Sequence, residues 1–288
     1  MKHYLPASLR LLFIGGILMS FFAGCSVLDP AEQIPSYLHI DGLKLNSVGQ
    51  IQGSSSATIT DAWVYMDGTF LGAFQLPCTI PILNEGTHDF IIKGGVLMNG
   101  LVSTRAIYPY WKGWEGNVTL TRGKVKSIGT QPLYYFSGTD FVWSENFDAQ
   151  GCSLVNTQGT VARLVQDSVG AFETRSGHIF MNQDTSIALF ASSQPYSIPP
   201  QTDVYVEFDY RCDVAFSVGI IGVSDGASHP WLTIDPSPTW KKIYIRLTDV
   251  LADQINSSTD QYYIYFASKL DMNASQANIY LDNIKLLK

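Results

Sequence analysis

The residues of this chain that could do chemistry are carboxylates, histidines and thiols. The carboxylates come in two close sets, Glu145 with Asp148 and Glu207 with Asp209. Two carboxyls flanking a cleft, one with a raised pKa, are the equipment of glycoside hydrolysis, but spacing alone locates no cleft here. His39, His88, His178 and His229 are scattered, with no nucleophile at a fixed offset and no HExxH, Gly-x-Ser-x-Gly or P-loop run. No catalysis is expected. The most telling thiol is Cys25, which closes Phe22-Ala23-Gly24-Cys25 behind Lys2, Arg10 and an apolar run from Leu11 to Phe22. That order is a positive start, an apolar centre and small residues at a cleavage site, the plan of a secretory signal peptide over residues 1–24.

With Cys at the position after the cut, the segment resembles a bacterial lipobox. The resemblance implies acylation of the Cys25 thiol, removal of residues 1–24 and membrane attachment through the lipid. The apolar run is shorter than the ~20 residues that span a bilayer, whereas two or three acyl chains anchor stably where one binds marginally. Ser26, in place of an Asp, implies the outer membrane, with the periplasmic or the cell-surface face left open. Residues 25–35, with Asp29, Pro30, Glu32 and Pro35, read as the lipidated Cys and a short tether.

Composition narrows the partners. The chain carries a formal net charge of −7; losing residues 1–24 leaves 16 basic against 25 acidic side chains, a net of −9. Such a surface is a poor match for nucleic acid. Thr, Tyr, Val and Ile runs punctuated by Gly, Pro, Asn and Asp predict an all-β chain of two domains, with one short helical turn near 248–253. Three cysteines remain besides Cys25. Cys152 and Cys212 fall in the same predicted domain and either pair in an oxidising compartment or, with Cys78, are buried small side chains. No CxxC spacing supports a zinc or redox site.

The first domain is expected over 36–130. Its centre is a hairpin, Ala62–Met66 and Thr69–Phe74 around Asp67-Gly68, a pair that tolerates the positive φ of a tight turn. Further strands are expected at 37–45, 89–93, 116–120 and 124–128. The order Val64-Tyr65-Met66-Asp67-Gly68, Gly72, then Gly86-Thr87-His88 resembles the PEGA-type β-sandwich, an Ig-like envelope module, which implies that His88 orients a turn. Next comes Tyr108-Pro109-Tyr110-Trp111-Lys112-Gly113-Trp114. Tyr108, Tyr110, Trp111 and Trp114 are either a contact surface for an envelope protein or glycan, since Tyr and Trp offer large rigid area, or alternate aromatics filling the core.

Residues 131–140 are expected as a linker and 141–288 as a second sandwich. In Val204–Arg211 the alternation puts Val204, Val206, Phe208 and Tyr210 inward, leaving Tyr205, Glu207, Asp209 and Arg211 as a solvated row. Trp240 is expected to be buried, and Trp231, in a stretch that reads as loop, is the aromatic candidate for ligand contact. Glu145-Asn146-Phe147-Asp148, Val206-Glu207-Phe208-Asp209-Tyr210, Trp240–Ile245 and Ile279–Leu286 resemble, in that order, the galactose-binding-like jelly-roll of many carbohydrate-binding modules. That fold implies a structural calcium between first and last strands, with Glu145, Asp148 and Asp282 its carboxylates; the alternative is that Asp282 and Asn283 orient the strand end by hydrogen bonds. No other cofactor is implied. The chain as a whole resembles outer-membrane lipoproteins of Gram-negative bacteria, and the expected function is a non-catalytic accessory or scaffold subunit binding an envelope protein, with cell-surface carbohydrate capture as the alternative.

Overall fold

The computed structural model describes residues 32–199, 202–252 and 261–288; Cys25, and with it the expected lipidation, lies outside them. Nearly every regular element is a strand, and the chain forms two β-sandwiches.

The first sandwich takes β1 (Ser36–Ile40), β2 (Gly42–Leu45), β3 (Asp61–Met66), β4 (Thr69–Gln75), β5 (Cys78–Ile82), β6 (Gly86–Leu97), β7 (Arg105–Ile107), β8 (Trp111–Lys112), β9 (Trp114–Leu120), β10 (Val125–Ser127) and β11 (Thr130–Tyr135), with a one-turn helix at Gly49–Gln52. The sheet β4-β3-β6-β7, with β9 also on β6, packs on β10-β1-β5 around Leu38, Ile40, Val64, Phe90 and Val118. The hairpin turn is as expected, with Asp67 at φ 49° and Gly68 at φ 78°. His88 Nδ1 lies 2.6 Å from Asp67 Oδ2, and the Asp89 N–H donates to Asp67 Oδ1, so His88 does hold that turn. The single strand expected over 37–45 breaks at Asp41 because its halves join different sheets, β1 with β5 and β10, β2 with β11.

The second sandwich takes β12 (Phe141–Glu145), β13 (Leu154–Asn156), β14 (Arg163–Asp167), β15 (Ser176–Asn182), β16 (Ile187–Ser192), β17 (Tyr196–Ser197), β18 (Tyr205–Cys212), β19 (Phe216–Gly222), β20 (Ser228–Ile234), β21 (Ser237–Arg246), β22 (Gln261–Lys269) and β23 (Gln276–Leu287). One sheet runs β14-β15-β23-β18-β21 with β12 on β23, the other β13-β16-β22-β19-β20 with β17 on β22. Val204, Val206, Phe208 and Tyr210 do point inward, into a core with Phe216, Phe266 and Leu281.

The linker expected over 131–140 is strand for half its length: β11 pairs with β2 and β8, leaving only 136–140 to connect the sandwiches. A third core then forms between them, from Leu45, Val96, Tyr108, Tyr110, Trp111, Leu133 and Tyr135 on one side and Tyr205, Tyr244 and Leu287 on the other. The Asn99 N–H donates to the Tyr244 carbonyl at 2.8 Å, extending the edge of β21 with a piece of the first sandwich.

Candidate functional site

The aromatic segment is not a free surface. Tyr108 is fully buried; its hydroxyl donates to Glu207 Oε2 at 2.7 Å and its ring packs on Trp111 and Tyr244. The Tyr110 hydroxyl donates to the Leu287 carbonyl at 3.0 Å, and Trp111 meets Tyr244 edge-on. Tyr108, Tyr110 and Trp111 thus belong to neither of the expected places: their apolar area is spent on joining the two sandwiches. Trp114 points to the first core, half-buried over Gly116, where an added Cβ would come within 2.5 Å of the indole. Trp231 lies on strand β20, its indole packed against the second core and its Nε1 shielded, so it is not a loop platform.

The row expected to be solvated is covered along most of its length. Glu207 and Asp209 are buried beneath the first sandwich with Lys242 and Lys285. Glu207 accepts from Tyr108 and Tyr135 and has Lys242 Nζ at 3.5 Å and Lys285 Nζ at 3.6 Å. Ser56 Oγ donates to Asp209, and Lys285 Nζ donates to the Ser54 carbonyl at 2.7 Å. Burial alone would raise the Glu207 carboxyl, but Lys242, Lys285 and the two hydroxyls outweigh it and hold the group below the ordinary carboxylate value. At Asp209 burial wins over Lys242 and the carboxyl is raised. Burial lowers Lys285 to about 8 despite Glu207. A substrate cannot reach carboxylates sealed in this way, so they are not a hydrolytic pair.

The carboxylates expected around calcium are not brought together: among the described residues no three His, Cys, Asp or Glu side chains converge on a metal position. Glu145 is used up by the Phe147 and Ser153 N–H groups and the Ser153 hydroxyl, Asp148 receives the Arg175 N–H, and Asp282 receives Ser176 Oγ and the Asn283 N–H. The strand-end alternative is the one found. Cys152 and Cys212 are free thiols, as is Cys78. Cys152 Sγ turns to the Leu154 carbonyl ahead of β13, in one sheet, while Cys212 ends β18 in the other and faces the Asp235 carbonyl.

Beyond the footprint of the first sandwich the same sheet is open. Val165, His178, Tyr280 and Arg211 sit side by side on β14, β15, β23 and β18, and Trp240 continues the row on β21. Alternation turns them outward, because Ile179 and Leu281 beside them enter the core. His178 stacks on Tyr280 at 4.2 Å, the Arg211 guanidinium lies 4.3 Å from the Tyr280 centroid, and Trp240 meets Phe172 edge-on. Trp240, expected inside, is half-buried, its Nε1 donating to the Gly170 carbonyl at 3.3 Å. Both faces of Tyr280 are therefore covered, and the row presents ring edges, N–H groups and one indole. Asn278 links it: Oδ1 lies 2.9 Å from His178 Nε2, and Nδ2 donates to Asp213 Oδ2 at 2.8 Å. Arg211, Asp213, Pro238, Asn278 and Tyr280 line a cleft of about 260 Å³. Trp240 itself lines another cleft, of about 460 Å³, that follows the seam between the sandwiches with Thr58, Thr60, Leu97 and Gly100. An indole beside fixed polar groups in a concave site can hold a small hydroxylated ring, apolar face to the indole and hydroxyls to the polar edge. Of these residues the sequence brought forward Arg211, Trp240, which it placed inside, and His178, as one of the scattered histidines. The outward alternation of Asn278 and Tyr280 in β23 is the signal that was there to use.

No protein-family model and no curated protein matches the chain. Solved structures similar to it include a family 29 carbohydrate-binding module variant complexed with mannohexaose, at 12% identity over 52% of this chain and 92% of that one, with a TM-score of 0.37. Others are a carbohydrate-binding module of family 29, at 13% identity over 52% and 87% with a TM-score of 0.34, and a variant complexed with cellulohexaose, at 13% over 52% and 89% with a TM-score of 0.33. At such values the likeness says nothing about which residues of this chain bind.

Proposed function

We propose that this chain is a non-catalytic glycan-binding lipoprotein, held at the outer membrane by acyl chains on Cys25, whose second sandwich captures sugar on the open end of its sheet. The observation that carries the reading is Trp240, half-buried on the wall of the seam cleft and in contact with Arg211 and Tyr280, which line a second cleft with Asn278. The envelope-protein reading loses the surface it was built on, because Tyr108, Tyr110 and Trp111 are buried within the chain. A glycan array with the mature chain, followed by calorimetry on the best ligand, tests the proposal. Trp240→Ala is expected to weaken binding about thirtyfold, the ~2 kcal/mol carried by an aromatic anchor, with a melting curve to show that the fold is kept. Unchanged affinity in Trp240→Ala would exclude this site.

A further inference from the structure

Arg211 is held between rings and has no anion of its own. Its guanidinium carbon lies over the Tyr280 ring, 4.3 Å from the centroid, and 5.7 Å from that of Trp240. It also lies against Gly170, at φ +70°, where an added Cβ would come within 2.5 Å of Nη2. Only a glycine leaves the room for this packing. The carboxylates on this part of the surface are engaged elsewhere. Asp213 accepts from the Asn278 N–H at 2.6 Å and from its side-chain amide at 2.8 Å, Asp167 accepts from the Val169 N–H and lies 3.4 Å from His178 Nδ1, and Glu173 accepts from Ser54 Oγ. Among the described residues no carboxylate pairs with Arg211; its partners are the two rings.

A guanidinium already packed against two rings and the Gly170 backbone has little freedom still to lose, and its N–H fork matches the two oxygens of a carboxylate or sulfate. A neutral hydroxyl would fill the position and leave the charge unmatched. Resting on the glycan reading above, we propose that Arg211 makes this cleft selective for sugars bearing an oxyanion, a uronate carboxylate or a sulfate ester, with the anion on the guanidinium and the ring toward Trp240. Selectivity then comes from one charged group rather than from the size of the cleft.

The test compares pairs of probes that share a backbone and differ in charge: tetragalacturonate against its methyl ester, and sulfated against unsulfated cellohexaose, by calorimetry with the mature chain at low and high salt. At least one charged member is expected to bind about tenfold tighter than its neutral partner, the advantage of a charge-assisted hydrogen bond over a neutral one, and the advantage should shrink with salt. The carboxylate and sulfate pairs tell the two sources apart. Arg211→Gln should bring the charged ligand down to the level of the neutral one and Arg211→Lys should retain part of the difference, each with a melting curve to show that the fold is kept. Equal binding of charged and neutral probes, or a charge preference that survives Arg211→Gln, overturns the proposal. If a neutral glycan binds and only Trp240→Ala abolishes it, the glycan reading stands without the anion. Binding of no probe, charged or neutral, overturns both.

Discussion

Replacing Glu207 with Gln should separate the two sandwiches energetically while barely changing a shape. The side chain sits in the third core, accepting from two tyrosine hydroxyls and facing two lysines. An amide keeps an acceptor for Tyr108 but removes the charge. Lys242 still has Asp209 at 3.6 Å; Lys285 is left with the Ser54 carbonyl and the Tyr135 hydroxyl, both neutral. Breaking a buried ion pair by removing one partner costs about 3–5 kcal/mol, because the other charge stays buried. At roughly 2–4 °C per kcal/mol for a chain of this size, the melting temperature at pH 7 should fall by roughly 6–20 °C. The deficit should depend on pH. Lys285 in the folded wild type loses its proton near 8, against 10.5 for an ordinary lysine. A depressed lysine pKa means that the unfolded chain binds more protons between those values, so stability rises with pH across that window. Without Glu207 the ammonium is lost more readily still, and the deficit should narrow by pH 10. Replacing Glu207 and Lys285 together with Met should recover most of the loss. Thermal and urea melts followed by circular dichroism at pH 7 and pH 10 read all three expectations. A Glu207→Gln melt within about 0.5 kcal/mol of wild type, or a deficit equal at both pH values, refutes the idea that an uncompensated Lys285 dominates this interface.

Asp282→Asn should stabilise the protein at pH 8 and not at pH 4: burial lifts this carboxyl from 3.8 to about 7, so the wild type loses stability as pH rises through that window, and a pH series of thermal melts checks it. Expression of residues 141–288 alone should give a protein that melts lower than the whole chain or aggregates, since Tyr205, Tyr244 and Leu287 would be exposed; an isolated half as stable as the full chain would show that the third core adds nothing. Reductant should leave the melting temperature unchanged, because Cys152 and Cys212 are free, and a thiol reagent with and without urea tests their burial. Cys25→Ala should release the protein from the membrane fraction or leave it unprocessed, read by metabolic labelling with a fatty-acid analogue.

The sequence by itself determined what depends on neighbours along the chain. Asp67-Gly68 specifies its hairpin because only small or αL-tolerant residues take two consecutive positive φ values. The alternation in 204–210 specifies which side chains enter the second core, since a strand has only two faces. What lies outside a sheet is different, because a strand cannot report what covers it. Tyr205, Glu207 and Asp209 read as a solvated row in sequence and are roofed by another sandwich; two residues on, Arg211 is only half-buried because that roof ends. The tyrosines and tryptophan at 108–111 announced a large apolar contact, and only the tertiary structure decided that the contact is made within the molecule. The row of His178, Tyr280, Arg211 and Trp240 draws on four strands separated by long stretches of chain. Cross-strand register alone brings them side by side, and that register is set by how whole sheets bury their inner faces rather than by any local run of residues.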